Sequence, residues 1–154
     1  MDYAIRPLTK ADEHVLREML YQALETSRGA TSREIVRRPE YARYVEGWGR
    51  PGDVGFVAHD AKRKDVLGAV WLRFPVAEIK KVAEQTPELA FVVKPGLRKH
   101  GIGAALLTQL VKTYPHNAIS IHAAPNNPAV RLYERFGFKI VKESPDAVFM
   151  RRKA

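Results

Sequence analysis

The chain has 154 residues, a length that suits one domain built around a single hydrophobic core. It carries 26 basic and 17 acidic residues, and the resulting formal net charge of +9 favours an anionic partner without specifying which one. Because the chain contains no cysteine, disulfides, thiolate-bound metals and a cysteine nucleophile are excluded.

The apolar segments of the chain bear on its location. The N-terminal residues Met1–Arg6 lack the long apolar core of a signal peptide. No apolar run approaches the roughly 18 residues that a membrane-spanning helix needs. The lack of cysteine also fits a reducing compartment. We therefore expect a cytoplasmic protein that does not contact a membrane.

The first third of the chain predicts a strand followed by helices. Tyr3–Pro7 alternates like an edge strand that ends at its proline. Thr9–Asp12 has the form of a capping box, after which apolar residues recur at helical spacing. These are Val15, Leu16, Met19, Leu20, Ala23 and Leu24. A second helical stretch begins at Thr31, is interrupted near Pro39 and continues to about Gly47.

The middle of the chain predicts three strands. Val54–His59 and Val66–Phe74 are apolar strands joined by a polar hairpin, Asp60–Asp65. Residues 75–86 contain helix-forming residues at uncertain spacing and lead to a fourth strand, Glu88–Lys94. Trp71 and Arg73 could project from the third strand toward a site.

The last third predicts two helices, a strand and a hairpin. The first helix runs from Gly101 to about Thr113, and a strand follows at Ala118–Ala123. A second helix enters through an asparagine–proline pair and ends near Phe136. The segments 138–142 and 147–151 then pair as a hairpin, and the basic tail 151–153 is predicted to be solvated. We see no repeat or linker, so the sequence predicts one mixed α/β domain spanning residues 1–154.

A basic, glycine-containing loop joins the fourth strand to the helix that begins near Gly101. The first amides of a helix have no intrahelical acceptors, and the helix dipole adds partial positive charge there. Gly101 and Gly103 would let a phosphate approach the main chain closely. The side chains of Arg98, Lys99 and His100 add positive or protonatable groups. The loop therefore predicts a pyrophosphate site; the alternative is that the glycines only allow close packing of helix and strand.

Two common phosphate-binding loops are excluded by spacing. A Walker loop requires Lys and Ser or Thr where this chain has Ile102 and Gly103. A dinucleotide-binding loop requires a third small residue where this chain has Leu106, and it starts directly after its strand.

Two signatures resemble those of the GNAT superfamily of N-acetyltransferases. The pattern Arg98-x-x-Gly101-x-Gly103 is similar to the family's acyl-CoA-binding signature. The pattern Asn126-x-x-Ala129-x-x-Leu132-Tyr133, followed by Gly137-Phe138, resembles the other half of the family pattern. Together they cover residues 88–140. One departure is Lys99, which stands where the family often has glycine.

The resemblance implies a fold and an activity. The fold would be a mixed, mostly antiparallel central sheet of about six to seven strands flanked by about four helices. The activity would be direct transfer of an acetyl group from acetyl-CoA, as cosubstrate, to a primary amine of a small molecule or protein. The acceptor itself is not indicated, and a homodimer through the C-terminal strands or the helices is left open.

The resemblance also implies roles for individual residues. A bulged fourth strand would contact the pantetheine and polarise the thioester carbonyl through the main chain of Phe91, Val92 and Val93, whose side chains could equally be core. The pyrophosphate would lie on the loop and helix start formed by Arg98, Lys99, His100, Gly101, Ile102, Gly103 and Ala104. Asn126 would contact the cofactor, with a pure helix cap as its alternative.

The same comparison suggests an acid and a base. Tyr133 would protonate the leaving thiolate, unless it is a buried tyrosine bonded to a backbone partner. Glu88 is the candidate general base, with a solvated strand-end carboxylate as its alternative. A carboxylate and an alkylammonium differ by roughly 6 pKa units, about 8 kcal/mol, so Glu88 would need a raised pKa, a bridging water or an already neutral amine.

Other functions and sites were weighed against this one. A basic nucleic-acid-binding module would use the net charge, but the aromatic residues do not interleave with basic ones in any recognisable motif. A catalytically idle acyl-CoA sensor would keep the loop and never turn over. The five histidines show no metal-ligand spacing, and His122 is the one expected near the site.

Overall fold

Seven strands form one sheet in this computed structural model, which describes residues 2–29, 32–63, 65–74, 86–97, 101–114 and 118–153. The strands are β1 (Tyr3–Pro7), β2 (Val54–Asp60), β3 (Val66–Arg73), β4 (Glu88–Val93), β5 (Ile119–Ala123), β6 (Lys139–Glu143) and β7 (Val148–Arg152). Their spatial order is β1-β2-β3-β4-β5-β7-β6. The β4–β5 pair is parallel and the other pairs are antiparallel, which confirms the predicted sheet.

Four α-helices lie within the described ranges. They are α1 (Glu13–Arg28), α2 (Pro39–Ala42), α3 (Ile102–Thr113) and α4 (Ala129–Arg135). The predicted continuation of helix to Gly47 is wrong beyond Ala42, where residues 43–47 form turns whose amides bond to the third or the fourth preceding carbonyl. In the described residues no helix is both long and apolar enough to cross a membrane.

The predicted capping box connects β1 to α1. The carboxylate of Asp12 accepts hydrogen bonds from the Thr9 amide at 2.7 Å and from both Nη atoms of Arg6 at 2.8 and 2.9 Å. Asp12 is buried, and its bonds satisfy amides at a helix start that would otherwise lack partners. This network fixes where α1 leaves the first strand.

Each face of the sheet is covered by different helices. On one face, Leu16, Met19 and Leu20 of α1 pack against Val57, Trp71 and Val92. On the other face, the buried side of α3 packs against β2–β5, and Tyr133 of α4 joins the same cluster. The two faces alternate along β4, so that strand contributes to both clusters.

One sequence expectation is wrong, and two others concern residues that the structure does not describe. Arg152, predicted to lie in a solvated tail, belongs to β7, and its Nε donates to the Phe136 carbonyl at 2.8 Å because β7 lies beside the end of α4. The predicted helical connection over residues 75–86 lies outside the described residues except for Thr86. The loop residues Arg98, Lys99 and His100 also lie outside them.

Candidate active site

The parallel strands β4 and β5 separate partway along their length. Their pairing is limited to Glu88 with Ser120 and Leu89 with Ile121, although β4 continues to Val93 and β5 to Ala123. The far edge of β4 remains paired with β3 over its whole length, and β5 remains paired with β7. We call the gap between residues 90–93 and residues 122–123 the β4–β5 cleft.

The amides that face the cleft follow from strand alternation. The Lys94 amide donates to the Leu67 carbonyl of β3, whereas the Pro87 carbonyl accepts from Ser120 of β5. Because successive residues point their amides to opposite edges, the amides of Phe91 and Val93 face the cleft and that of Val92 faces β3. The register between β3 and β4 is uninterrupted, so the bulge expected in β4 is not present in that pairing.

Beside this cleft, the N-terminus of α3 has main-chain donors that bond to no acceptor within the described ranges. Gly101 is the N-cap residue, and no side chain caps the helix. The first intrahelical bond runs from the Ala105 amide to the Gly101 carbonyl at 3.0 Å, which leaves the amides of Ile102, Gly103 and Ala104 without helical acceptors. The first turn contains no acidic residue, so an anion would meet no opposing charge from it.

The two glycines of this helix start serve different purposes. Gly101 has a φ of +77°, in the left-handed region, and a Cβ built on it would have nothing within 4 Å. A Cβ on Gly103 would lie 2.8 Å from Cζ of Phe91 and 3.4 Å from Cδ2 of Leu132. Close packing, the alternative interpretation, therefore accounts for Gly103, whereas the left-handed backbone accounts for Gly101, which has open space around it.

Tyr133 lies between the helices and the cleft. Tyr133 is only 3% exposed. The centroid of its ring lies 5.8 Å from that of Phe91 in an edge contact and 6.0 Å from that of Phe138 in a tilted contact. Burial raises the pKa of the Tyr133 hydroxyl well above its ordinary value. Among the described residues the hydroxyl has no hydrogen-bond partner, which removes the backbone-bonded alternative for this tyrosine.

Asn126 is exposed and does not cap α4. The cap function falls to Asn127, whose Oδ1 accepts a hydrogen bond from the Ala129 amide at 2.8 Å. Asn126 is therefore not the helix cap, because Asn127 makes that bond. The Asn126 side chain lies at the surface before α4.

Glu88 is part of a three-residue cluster and is not a solvated strand end. Its side chain is 16% exposed, and its carboxylate pairs with the Arg43 guanidinium at 2.9 and 3.3 Å. It also accepts a hydrogen bond from the Tyr44 hydroxyl, which itself accepts from Arg43 Nη2 at 2.7 Å. Burial raises the pKa of Tyr44, and the Glu88 charge raises it further; the Tyr133 phenol lies near enough to contribute.

The turn that carries Arg43 and Tyr44 is anchored from β3. Trp71 Nε1 donates to the Tyr44 carbonyl at 2.9 Å, and Arg73 Nη1 donates to the carbonyls of Arg43 at 3.2 Å and Glu46 at 2.7 Å. Arg73 is itself buried. Trp71 and Arg73 therefore position the Glu88 partners instead of facing an open groove.

Arg43 and Tyr44 are the residues that sequence reasoning missed. They lie 45 and 44 residues before Glu88, and no local pattern couples positions so far apart. The segment that carries them is rich in aromatic residues, and nothing else in it marks a site.

The geometry brings two chemical environments to opposite sides of β4. Free main-chain donors at α3 and at Phe91 and Val93 suit a phosphate and an extended polar chain. The Glu88 carboxylate, on the other face of the strand, suits a cationic or proton-donating group. Tyr133 is the buried titratable group between them.

Sequence comparison identifies the relatives of this chain. Residues 17–138 match the profile of the acetyltransferase (GNAT) family. A mycothiol acetyltransferase of Corynebacterium aurimucosum is 34% identical over 110 residues. That alignment covers 62% of this chain and 33% of the relative, so the chain spans about a third of the length of that curated relative.

Solved structures share the fold at low sequence identity. The PaiA N-acetyltransferase of Thermoplasma acidophilum, in complex with coenzyme A, is 18% identical with a TM-score of 0.69 and coverage of 100% of both chains. A GNAT-family acetyltransferase of Staphylococcus aureus Mu50 is 16% identical, with a TM-score of 0.70 over 98% of each chain. Arabidopsis thaliana NAA60, in complex with acetyl-CoA, is 19% identical with a TM-score of 0.63 over 97% of each chain.

Proposed function

Because the chain belongs to the acetyltransferase (GNAT) family, we propose that it transfers an acetyl group from acetyl-CoA directly to a primary amine of a small molecule or protein. The observation that carries the proposal is the β4–β5 cleft, which opens beside the uncapped start of α3. The complexes of PaiA with coenzyme A and of NAA60 with acetyl-CoA support the choice of cosubstrate.

The main chain would hold the cosubstrate. In this proposal the amides of Ile102, Gly103 and Ala104 bind the pyrophosphate, because they lack acceptors at the positive end of the helix dipole. Arg98, Lys99 and His100 keep their proposed role as charged neighbours of that group. The amides of Phe91 and Val93 bind the pantetheine in the cleft, while Val92 contributes through packing.

Asn126 completes the proposed cofactor site. Its side chain is free of the capping bond that Asn127 makes, so its amide group can hydrogen-bond to the cofactor. Tyr133 would donate a proton to the departing thiolate, because its phenol is protonated at neutral pH and is buried against Phe91 of the cleft strand; burial raises its pKa, so the proton moves only as charge develops on the sulfur.

Glu88 would accept the proton that the amine loses. The Arg43 guanidinium and the Tyr44 hydroxyl already contact both carboxylate oxygens, so an amine that bonded to Glu88 directly would have to displace them. A direct transfer from an alkylammonium already faces a deficit of about 8 kcal/mol on ordinary pKa values. We therefore propose that Glu88 receives the proton through a bridging water from an amine that arrives neutral, while Tyr44 holds the carboxylate in place.

Thermal unfolding with and without cosubstrate tests the proposal. A ligand at a hundred times its dissociation constant stabilises the folded state by about 2.7 kcal/mol. For a chain of this size that gain corresponds to a rise in Tm of roughly 5–10 °C. Pantetheine, which lacks the pyrophosphate, is the matched control and should give a much smaller rise. No rise with millimolar acetyl-CoA would contradict the proposal.

A catalytically idle acyl-CoA sensor is the second candidate. It is favoured by the Glu88 carboxylate being already occupied by Arg43 and Tyr44. The two candidates differ in one measurement, because a sensor binds acetyl-CoA without releasing free thiol in the presence of any amine. Thiol release with a panel of amines and peptides would exclude it.

A further inference from the structure

Within the described part of the chain, no helix covers one face of the C-terminal strands. Ile119, Ile121, Val148 and Met150 point into the core that α3 and α4 cover. The residues that alternate with them therefore lie on the opposite face, where the buried cluster of α1 takes its strand residues from β2, β3 and β4. We call this surface the open face; it consists of Ser120, His122, Phe149, Arg151, Lys139 and Lys142.

The open face continues directly from Glu88. Strand register aligns Glu88 with Ser120, Ser120 with Arg151 and Arg151 with Lys139, which forms a straight row across β4, β5, β7 and β6. Neighbouring strands are about 4.8 Å apart, so the Cα of Arg151 lies roughly 10 Å from that of Glu88. Any acceptor whose amine reaches Glu88 from this side must pass over these residues.

The open face is cationic and lacks a carboxylate. Lys139, Lys142 and Arg151 are exposed, and none of them forms an ion pair with any residue in the described ranges. The acidic Glu143 opposes Val148 and therefore points to the other face. The open face therefore carries three cationic side chains without an ion-pair partner in the described ranges, enough to contact more than one anionic group of a ligand.

The aromatic residue of the open face is not available for base stacking. The Phe149 ring is contacted by the His122 ring at 4.3 Å between centroids and by Lys142 Nζ at 5.9 Å. These neighbours come from the strands on either side, so the ring presents no bare platform of the kind that single-stranded nucleic acids use. A second copy is also disfavoured, because a two-fold contact would place like charges against each other.

We propose that the open face binds an acidic peptide segment of the acceptor, whose amine is thereby directed to Glu88. The proposal rests on the acetyltransferase function proposed above for the identity of the reacting group. It narrows the substrate class from any primary amine to the amine of a polypeptide that carries carboxylates within about 10–15 Å of it. Arg151 and Lys142 supply the principal contacts.

Fluorescence anisotropy tests the binding step without acetyl-CoA. The probe is a hexaglutamate peptide with a free N-terminal amine and a C-terminal rhodamine label, and hexaglutamine is its uncharged match. We expect the glutamate peptide to bind about tenfold or more tightly, and salt to weaken it. The double variant Lys142→Gln/Arg151→Gln should lose about tenfold in affinity.

A charge-matched control separates a site from general attraction. Lys62→Gln/Arg63→Gln removes the same charge from the exposed β2–β3 turn and should leave peptide affinity unchanged. Equal losses in both double variants, tighter binding of oligothymidylate than of the peptide, or self-association that disappears in Lys142→Gln/Arg151→Gln would each overturn the inference.

Turnover then links the open face to Glu88. In wild type the glutamate peptide should be acetylated with a lower KM than the glutamine peptide and a similar kcat, and Lys142→Gln/Arg151→Gln should remove the KM difference. The acetyl-CoA-induced rise in Tm should be the same in that variant and in wild type. If acetyl-CoA does not raise the Tm of wild type, the proposed function is contradicted. If the two peptides have equal KM values in wild type, only the open-face proposal is contradicted.

Discussion

Replacing Tyr133 with phenylalanine should separate catalysis from stability. The ring is buried against Phe91 and Phe138, and phenylalanine keeps both contacts while deleting the hydroxyl. Among the described residues that hydroxyl has no hydrogen-bond partner. The residue keeps 3% exposure, and its hydroxyl is not among the fully buried side-chain atoms that lack a partner. We therefore expect Tyr133→Phe to change the free energy of unfolding by less than about 1 kcal/mol.

Turnover, by contrast, should fall in Tyr133→Phe. On ordinary values a phenol and a thiol differ by roughly 1.5 pKa units, about 2 kcal/mol, and burial of Tyr133 widens that gap. The phenol therefore stays protonated and can supply a proton only as negative charge develops on the sulfur. Losing that donor should lower kcat about tenfold or more, equivalent to about 1.4 kcal/mol of transition-state stabilisation.

Thiol release and urea unfolding, measured on the same preparation, check both halves of this prediction. Tyr21→Phe is a suitable control, because the Tyr21 hydroxyl bonds to Glu25 on α1 at 3.0 Å, away from the cleft. It should lose a little stability and keep its turnover. Wild-type turnover in Tyr133→Phe, or a fall in turnover matched by a fall in stability, would refute the reasoning.

Three further changes probe the base, the helix start and the fold. Glu88→Gln should change the pH–rate profile for acetyl transfer, and an unchanged profile would rule out its role as base. Gly103→Ala should lower the free energy of unfolding by about 1 kcal/mol, because the new Cβ would overpack against Phe91, and Phe91→Leu should restore it. Phe91→Leu should not restore the stability of Gly101→Ala, because that substitution strains a left-handed backbone position. Asp12→Asn should cost about 2 kcal/mol in urea unfolding at pH 7, because hydrogen bonds from its arginine partner lower the Asp12 pKa from 3.8 to about 2. This stabilisation is present above the pKa that Asp12 has in the unfolded chain and is lost as the pH falls toward 2. The cost of Asp12→Asn should therefore shrink as the pH falls, and a cost that stays constant with pH would contradict the prediction.

The helix start and strand of the proposed cofactor site could be located from the sequence because the proposed contacts belong to the main chain. A helix start with no capping side chain, a glycine at positive φ and a strand of alternating residues all leave local traces in a sequence. Sequence alone did not distinguish Gly101 from Gly103, because packing against Phe91 depends on a contact between α3 and β4. The expected bulge in β4 came from resemblance, and the continuous β3–β4 register does not contain it.

The acceptor half could not be predicted because its side chains come from distant segments. The sequence placed Glu88 on a strand, but its pairing with Arg43 and Tyr44 depends on a turn that Trp71 and Arg73 of β3 hold through hydrogen bonds. The position of β7 between β5 and β6 was equally unreadable, since a predicted hairpin does not specify which strand lies next to β5. That order is what brings Arg151 into line with Glu88.

The sheet divides the proposed reaction between its two faces, and the cleft is where they meet. The amides proposed to bind the phosphates lie with α3 and α4 on one side, and Glu88 lies on the other side with the turn that follows α2. Paired strands would separate these environments completely, since a hydrogen-bonded sheet leaves no passage for a reacting group. Because β4 and β5 part after Leu89, a thioester held from one face can be reached by an amine held from the other. The separation of these strands is therefore the structural requirement that the acetyltransferase proposal shares with the acidic-peptide proposal.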